Sequence, residues 1–150
     1  MRKAVIAIAA VAAIAAAWYI SVPSQAIANV NYRDPKTVAL GRTVYVEHCA
    51  SCHGENLEGQ PNWQERDADG YLPAPPHDET GHTWHHPTAK LFEITKLGTE
   101  AIVGGGYKSN MIGFGNLLTD AEIHAVLAYI KSTWPRPIQE RHDQMDAASQ

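Results

Sequence analysis

Residues 48–54 read His-Cys-Ala-Ser-Cys-His-Gly and contain both cysteines of the 150-residue chain. On a helical turn, Cys49, Cys52 and His53 stand at positions i, i+3 and i+4, so two thiols and an imidazole share one face. A single explanation must account for both thiols. Whatever they bind constrains how the rest of the chain folds around them.

The N-terminus has the pattern of an export signal. A basic tripeptide precedes an uncharged apolar stretch over residues 4–20, and a small-x-small sequence ends at Ala28. We expect residues 1–28 to be a signal peptide cleaved after Ala28 or, if uncleaved, an N-terminal membrane anchor tethered through residues 4–20. Residues 29–150 are then predicted to be extracytoplasmic, in the periplasm, where free thiols become oxidised.

The charge balance argues against a nucleic-acid partner. The chain has 12 Lys and Arg against 16 Asp and Glu, a formal net charge of −4. The sequence has no basic patch interleaved with aromatic residues, which a nucleic-acid-binding surface requires. The length fits one domain.

Helical periodicity recurs in three segments. The first begins at the proline after Asp34, a good N-cap residue, and runs into Cys49. The second covers residues 88–98, and the third covers residues 120–134 after a Thr-x-x-Glu capping box. We therefore predict an all-α fold with three main helices.

The segments between these helices are long and rich in glycine and proline. The domain core is predicted to cover about residues 35–135, and the polar residues from about 138 to 150 are expected to form a flexible tail. Such long irregular connections are unusual in a small domain unless something else organises them. A large buried cofactor would do so.

Three kinds of chemistry suit the cysteine motif. A zinc site needs four ligands, and the chain offers no second thiol pair, only histidines such as His82 and His85. Dithiol exchange is typical of a motif at a helix N-terminus beside a βαβ unit, whereas this motif follows a helix. Cys-x-x-Cys-His is the attachment sequence of c-type haem, and two thioether bonds consume both thiols. We therefore predict one covalently bound haem c.

The haem iron needs a second axial ligand opposite His53 if the protein is to carry electrons. Met111 is the preferred candidate, because it lies among glycines and outside any helical stripe, where a methionine has little packing role. A thioether ligand favours Fe(II) and raises the reduction potential. Met145, in the expected tail, and the other histidines are weaker candidates.

These motifs resemble the class I c-type cytochromes, small carriers with one haem. The resemblance spans residues 35–134 and rests on Gly41-x-x-x-Tyr45-x-x-x-Cys49 running into the haem motif, and on the segment that begins at Met111. It implies that three helices and long loops wrap one haem, and that Gly41 lets the first helix touch the last, near Val126 and Tyr129.

The resemblance also implies details of the iron site. A proline carbonyl, from Pro75 or Pro76, should accept the Nδ1 proton of the axial histidine. Two positions depart from the usual pattern: Met111 is followed by isoleucine where relatives have proline, and His77 stands where many relatives have leucine.

The resulting functional prediction is an exported cytochrome that passes single electrons between larger redox proteins, with no enzymatic turnover and no small-molecule substrate. Electron donor and acceptor proteins are its expected partners. One alternative is a haem sensor or weak peroxidase in which Met111 is easily displaced. Another is a metal-binding module built on the loop from His77 to His86, although that loop is more simply a polar cover for a haem edge.

Overall fold

The structure is a computed structural model that describes residues 30–149, and within that range it contains no β-strand. The elements in chain order are α1 (Pro35–His48), α2 (Ala50–His53), a 3-10 turn (Thr83–His85), α3 (Thr88–Leu97), α4 (Thr99–Val103), α5 (Asp120–Thr133) and α6 (Arg136–Ala148). The prediction of an all-α fold is confirmed. No helix of residues 30–149 is long and apolar enough to cross a membrane. The predicted signal peptide or anchor, residues 1–28, lies outside the described residues.

The first and third predicted helices begin where their capping residues indicate. The carboxylate of Asp34 accepts hydrogen bonds from the backbone N–H and the hydroxyl of Thr37, at 2.9 and 2.6 Å. At the start of α5, Glu122 accepts from the backbone N–H of Thr119, while Thr119 accepts from that of Glu122. These bonds satisfy N–H groups that have no partner within their own helix.

Helices α1 and α5 form the centre of the core, and Gly41 allows their backbones to meet. A methyl group at Gly41 would overlap the carbonyl of Ala125 and approach the Cβ of Tyr129 to 2.9 Å. One turn further along α1, the ring of Tyr45 packs against that of Tyr129, with centroids 5.4 Å apart. The predicted contact through Gly41 is confirmed, and the atoms nearest to it belong to Ala125 and Tyr129.

The prediction of a flexible tail is wrong, because residues 136–148 form helix α6. Its buried residues, His142 and Asp146, are polar, and they pack on Lys131 of α5, whose side chain is only 1% exposed. The Lys131 ammonium lies 2.7 Å from Asp143 and 3.3 Å from Asp146, and 2.8 Å from Nδ1 of His142. We call these four residues the Lys131 cluster. Apolar periodicity could not reveal this helix, since its buried side chains satisfy one another as polar partners.

The Lys131 cluster also holds segments that are distant in sequence. Asp146 accepts hydrogen bonds from the backbone N–H and the hydroxyl of Thr88, at 2.7 and 2.8 Å, and thereby caps the start of α3. Nε2 of His142 donates to the carbonyl of His86 at 2.8 Å. Helix α6 is thus part of the folded core and fixes where α3 begins.

Replacing Asp146 should destabilise the folded protein strongly. Asp146→Ala removes one of the two carboxylates paired with the buried Lys131 ammonium, and it removes the acceptor of the Thr88 N–H and hydroxyl. We therefore expect the free energy of unfolding to fall by about 3 kcal/mol. Urea denaturation followed by circular dichroism measures this loss. Glu140→Ala, on the exposed side of the same helix, should cause little change. An Asp146→Ala protein as stable as the wild type would contradict the stabilising role given to Asp146.

The same cluster predicts a pH dependence. Burial by itself raises the pKa of the Asp146 carboxyl, but its contact with His142 and the hydrogen bonds from Thr88 outweigh that effect and hold the pKa below its usual range. The stabilisation is therefore present above the unfolded carboxyl pKa of about 4, and is lost as the pH falls from there towards the folded pKa. Unfolding free energies measured from pH 6 to pH 2 should fall less in Asp146→Asn than in the wild type.

The ring nitrogens of His124, on α5, are shielded from solvent. Its ring stacks on Phe92 of α3, with centroids 4.6 Å apart. Neither ring nitrogen is exposed, and neither has a hydrogen-bond partner among residues 30–149. Burial accordingly lowers the pKa of the His124 imidazole.

Since an unpaired buried polar group costs free energy, His124→Leu should raise the free energy of unfolding by about 1 kcal/mol. His85→Leu, a change at an exposed histidine, controls for the effect of adding an apolar side chain. A fall in stability specific to His124→Leu, measured by urea denaturation, would show that the imidazole has a favourable partner.

Candidate haem-attachment site

The cysteine motif forms one helical turn directly after α1. The backbone N–H groups of Cys52 and His53 donate to the carbonyl of Cys49, at 3.1 and 2.9 Å. The turn ends at Gly54, whose φ of 84° favours glycine, and the hydroxyl of Tyr45 donates to its carbonyl at 2.9 Å. The structure therefore holds the two thiols and the imidazole together, as predicted from their spacing.

His53 is oriented for metal ligation by a backbone carbonyl. Its side chain is nearly buried, at 7% exposure, and Nδ1 lies 2.8 Å from the carbonyl oxygen of Pro75. A carbonyl only accepts, so Nδ1 carries the proton and Nε2 keeps its lone pair. Burial lowers the pKa of His53, which favours the neutral imidazole, the form that can bind a metal. Of the two prolines considered, the structure selects Pro75.

The thiols themselves are unpaired with each other. Cys49 is half-buried and Cys52 is exposed, and they form no disulfide. Burial raises the pKa of the Cys49 thiol to about 11, and the neighbouring Cys52 adds to the effect. A thiol that stays protonated at neutral pH is a poor redox nucleophile. Conversion to a neutral thioether suits this position better.

Met111 lies in the loop between α4 and α5, apart in sequence from the cysteine motif. Its backbone N–H donates to the hydroxyl of Ser109 at 3.1 Å, and its carbonyl accepts from Thr99 at 3.4 Å. The next residue, Ile112, forms an antiparallel bridge with Gly98. The side chain of Met111 is half-exposed.

Two glycines after Met111 explain how this loop packs against α3. Two hydrogen bonds join the loop to α3. The backbone N–H of Phe114 donates to the carbonyl of Thr95, and that of Gly115 donates to the carbonyl of Lys96, both at 2.9 Å. A Cβ at Gly113 would lie 2.6 Å from the carbonyl carbon of Leu97, so only glycine allows this approach. The loop is therefore fixed by its backbone even though no proline follows the methionine.

The loop from His77 to His86 is less suited to metal binding than the cysteine motif. His82 is exposed and stacks on Trp63, with ring centroids 5.3 Å apart. Residues 30–149 contain no group of three or more His, Cys, Asp or Glu side chains placed to hold a metal ion. In the same loop, the indole N–H of Trp84 donates to the carbonyl of Glu79 at 3.3 Å.

Sequence reasoning left two nearby residues without a role. The imidazole of His77 lies against that of His53, with ring centroids 3.9 Å apart. The indole N–H of Trp134 donates to the carbonyl of His77 at 2.8 Å, which connects the end of α5 to the site. In the sequence, His77 stood out as a replacement of a leucine of the resembling family and as the first histidine of the loop from His77 to His86.

This donor set fits a c-type haem. Two unpaired thiols one helical turn apart can form two thioethers, and the adjacent neutral imidazole offers Nε2 to iron. The carbonyl of Pro75 gives that imidazole the hydrogen bond that ligating histidines usually make through their other nitrogen. When bound, haem supplies a one-electron Fe(III)/Fe(II) couple.

Comparison with known protein families supports the interpretation of this site as a haem-attachment site. The family model described as cytochrome c matches residues 38–134, well over half of the chain. The chain therefore belongs to the cytochrome c family, whose members carry covalently attached haem and take part in electron transfer.

Individual relatives are more distant. Nitrite reductase from Stutzerimonas stutzeri is 32% identical over 98 residues, which are 61% of this chain and 15% of that protein. The Cbb3-type cytochrome c oxidase subunit FixP from Azorhizobium caulinodans is 26% identical over 117 residues, which are 73% of this chain and 36% of FixP. The chain thus spans only a minor part of either relative.

A solved structure supports the fold. Cytochrome CL from the marine methylotrophic bacterium Methylophaga aminisulfidivorans has a TM-score of 0.52 and 22% identity, with 80% of this chain and 72% of that chain covered. At this identity the likeness shows the fold alone. It confirms the all-α cytochrome c fold predicted from the sequence.

Removing both thiols should prevent covalent haem attachment and leave the chain largely unfolded. Cys49→Ala with Cys52→Ala, produced with the haem-attachment machinery, should lack haem that survives acid–acetone extraction, and its helical circular dichroism should fall sharply because the loops lose the group they pack on. Ser51→Ala, between the two cysteines, is the matched control. Native helix content in the double variant would contradict this expectation.

Proposed function

We propose that this chain is an exported carrier of single electrons, with haem c attached through Cys49 and Cys52 and iron ligated by His53 and Met111. The observation that carries the proposal is the 2.8 Å hydrogen bond from Nδ1 of His53 to the carbonyl of Pro75. This bond leaves Nε2 of His53 with a free lone pair, on a neutral and nearly buried imidazole next in sequence to two unpaired thiols.

Each residue of the proposed site has a distinct role. Cys49 and Cys52 hold the haem covalently, so it cannot be lost outside the cytoplasm. Pro75 fixes the tautomer of His53 and increases its strength as a ligand. Met111 provides a weaker thioether donor, which favours Fe(II) and raises the reduction potential.

Backbone anchoring of the Met111 loop supports a permanent ligand. The hydrogen bonds of Met111 to Ser109 and Thr99, and the bridge from Gly98 to Ile112, restrain the loop on both sides of the methionine. A six-coordinate iron that keeps its ligands in both oxidation states needs little rearrangement on electron transfer. The chain then needs no substrate pocket, and we propose that no enzymatic turnover takes place.

Larger redox proteins are the proposed partners. Leu97 and Ile112 are both more than half exposed, and they flank the bridge beside Met111. An exposed apolar patch of this kind suits brief docking with another protein. We propose that the mature protein acts in the periplasm, released from its signal peptide or tethered by it.

Replacing Met111 tests the axial ligation. In the oxidised wild-type holoprotein we expect a far-red methionine-to-Fe(III) charge-transfer band, and in the reduced form only slow binding of carbon monoxide. Met111→Ala should lose the band and bind carbon monoxide rapidly. Met145→Ala, a methionine change on α6, should leave both properties unchanged.

Two results would contradict the proposal. A wild-type protein that lacks the band and binds carbon monoxide rapidly would favour a haem sensor or weak peroxidase with a displaceable Met111. Tight, stoichiometric copper uptake that leaves the haem spectrum unchanged would favour a metal-binding role for the loop from His77 to His86.

A further inference from the structure

The face of the axial histidine is covered by a second imidazole. The rings of His53 and His77 lie with their centroids 3.9 Å apart and their planes 22° from parallel. The hydrogen bond to Pro75 restrains His53 within the plane of its ring. The stack on His77 restrains it in the perpendicular direction, so the two contacts together limit both rotation and tilt.

His77 is itself held firmly enough to act as a support. Its Nδ1 lies 2.7 Å from the hydroxyl of Thr83, and its backbone N–H donates to the carbonyl of Leu57 at 2.8 Å. Its own carbonyl accepts from the indole N–H of Trp134 at 2.8 Å. The ring of Tyr45 meets its ring edge-on, with centroids 6.3 Å apart. Contacts from four separate segments thus fix both the backbone and the ring of His77.

We propose that His77 is a positioning residue that sets the orientation of the His53 imidazole and thereby tunes the reduction potential of the haem iron. This inference rests on the proposed ligation of iron by His53. The orientation of an axial imidazole and the polarity around it are among the means by which a protein tunes a metal site.

The direction of the effect follows from polarity. An imidazole has a dipole and a polarisable face, whereas an aliphatic side chain of similar size has neither. A polar group in contact with the ligand stabilises the more highly charged Fe(III) form, since charge is favoured by a polarisable environment. An apolar residue at position 77 should therefore raise the reduction potential.

The test compares holoproteins in which the ring stack and the polarity are changed separately. His77→Leu removes both, while His77→Phe keeps an aromatic face without ring nitrogens. The readouts are the reduction potential, from spectroelectrochemistry, and the electron paramagnetic resonance spectrum of the oxidised form, which reports axial-ligand orientation. His77→Leu should raise the potential and alter the spectrum, and His77→Phe should raise the potential with a smaller spectral change.

A second pair of variants keeps the test valid if changes at His77 impair folding. Thr83→Val removes the hydroxyl that holds Nδ1 of His77, and Thr83→Ser retains it. Thr83→Val should shift the potential and the resonance spectrum in part, and Thr83→Ser should restore the wild-type values. His82→Leu, an exposed histidine stacked on Trp63, is the matched control and should change neither readout.

Several results would overturn the inference. Unchanged potential and resonance spectra in folded His77→Leu holoprotein would show that the stack is only packing, as would a shift of equal size in His82→Leu. Failure of the proposed function has a different signature, since the wild type itself would then lack the spectrum of a haem ligated by His53. A wild type with histidine and methionine ligation but insensitive to changes at His77 and Thr83 would leave the proposed function intact.

Discussion

The hydrogen bond from His53 to Pro75 is the interaction on which the site depends. A helical turn can place Cys49, Cys52 and His53 together, but it does not determine which imidazole nitrogen is available. A carbonyl acceptor 2.8 Å from Nδ1 determines this, since it leaves Nε2 as the basic nitrogen. Burial of the ring then favours its neutral form. Contacts within the polypeptide thus fix the tautomer and the charge state of His53.

The segment that follows Pro75 and Pro76 is held in place by the C-terminal part of the chain. Trp134 donates to the carbonyl of His77, His142 donates to that of His86, and Asp146 caps α3 at Thr88. These bonds fix both ends of the segment between residues 77 and 88. The buried Lys131 cluster therefore has a consequence for the site, because it anchors one end of the loop that begins at His77, which stacks on His53. This accounts for a helix with an inward face that is mainly polar.

Sequence patterns predicted those parts of the fold that depend on local interactions. Asp34 before proline, and Thr119 three residues before Glu122, mark helix starts because their side chains bond to nearby N–H groups. The cysteine motif could be assigned from spacing alone. Helix α6 could not, because its stability comes from ion pairs with Lys131, which no apolar periodicity reveals. The stack of His77 on His53 joins residues 24 positions apart, so only the folded chain shows it.

The central claim is that His53 and Met111 both ligate the iron of a covalently attached haem. Proton NMR of the reduced, diamagnetic holoprotein tests it most directly. The account predicts a Met111 methyl resonance shifted far upfield by the haem ring current, together with a slowly exchanging Nδ1 proton on His53 that is protected by its bond to Pro75. A Met111 methyl signal at its ordinary position, or a His53 Nδ1 proton that exchanges freely with water, would contradict it.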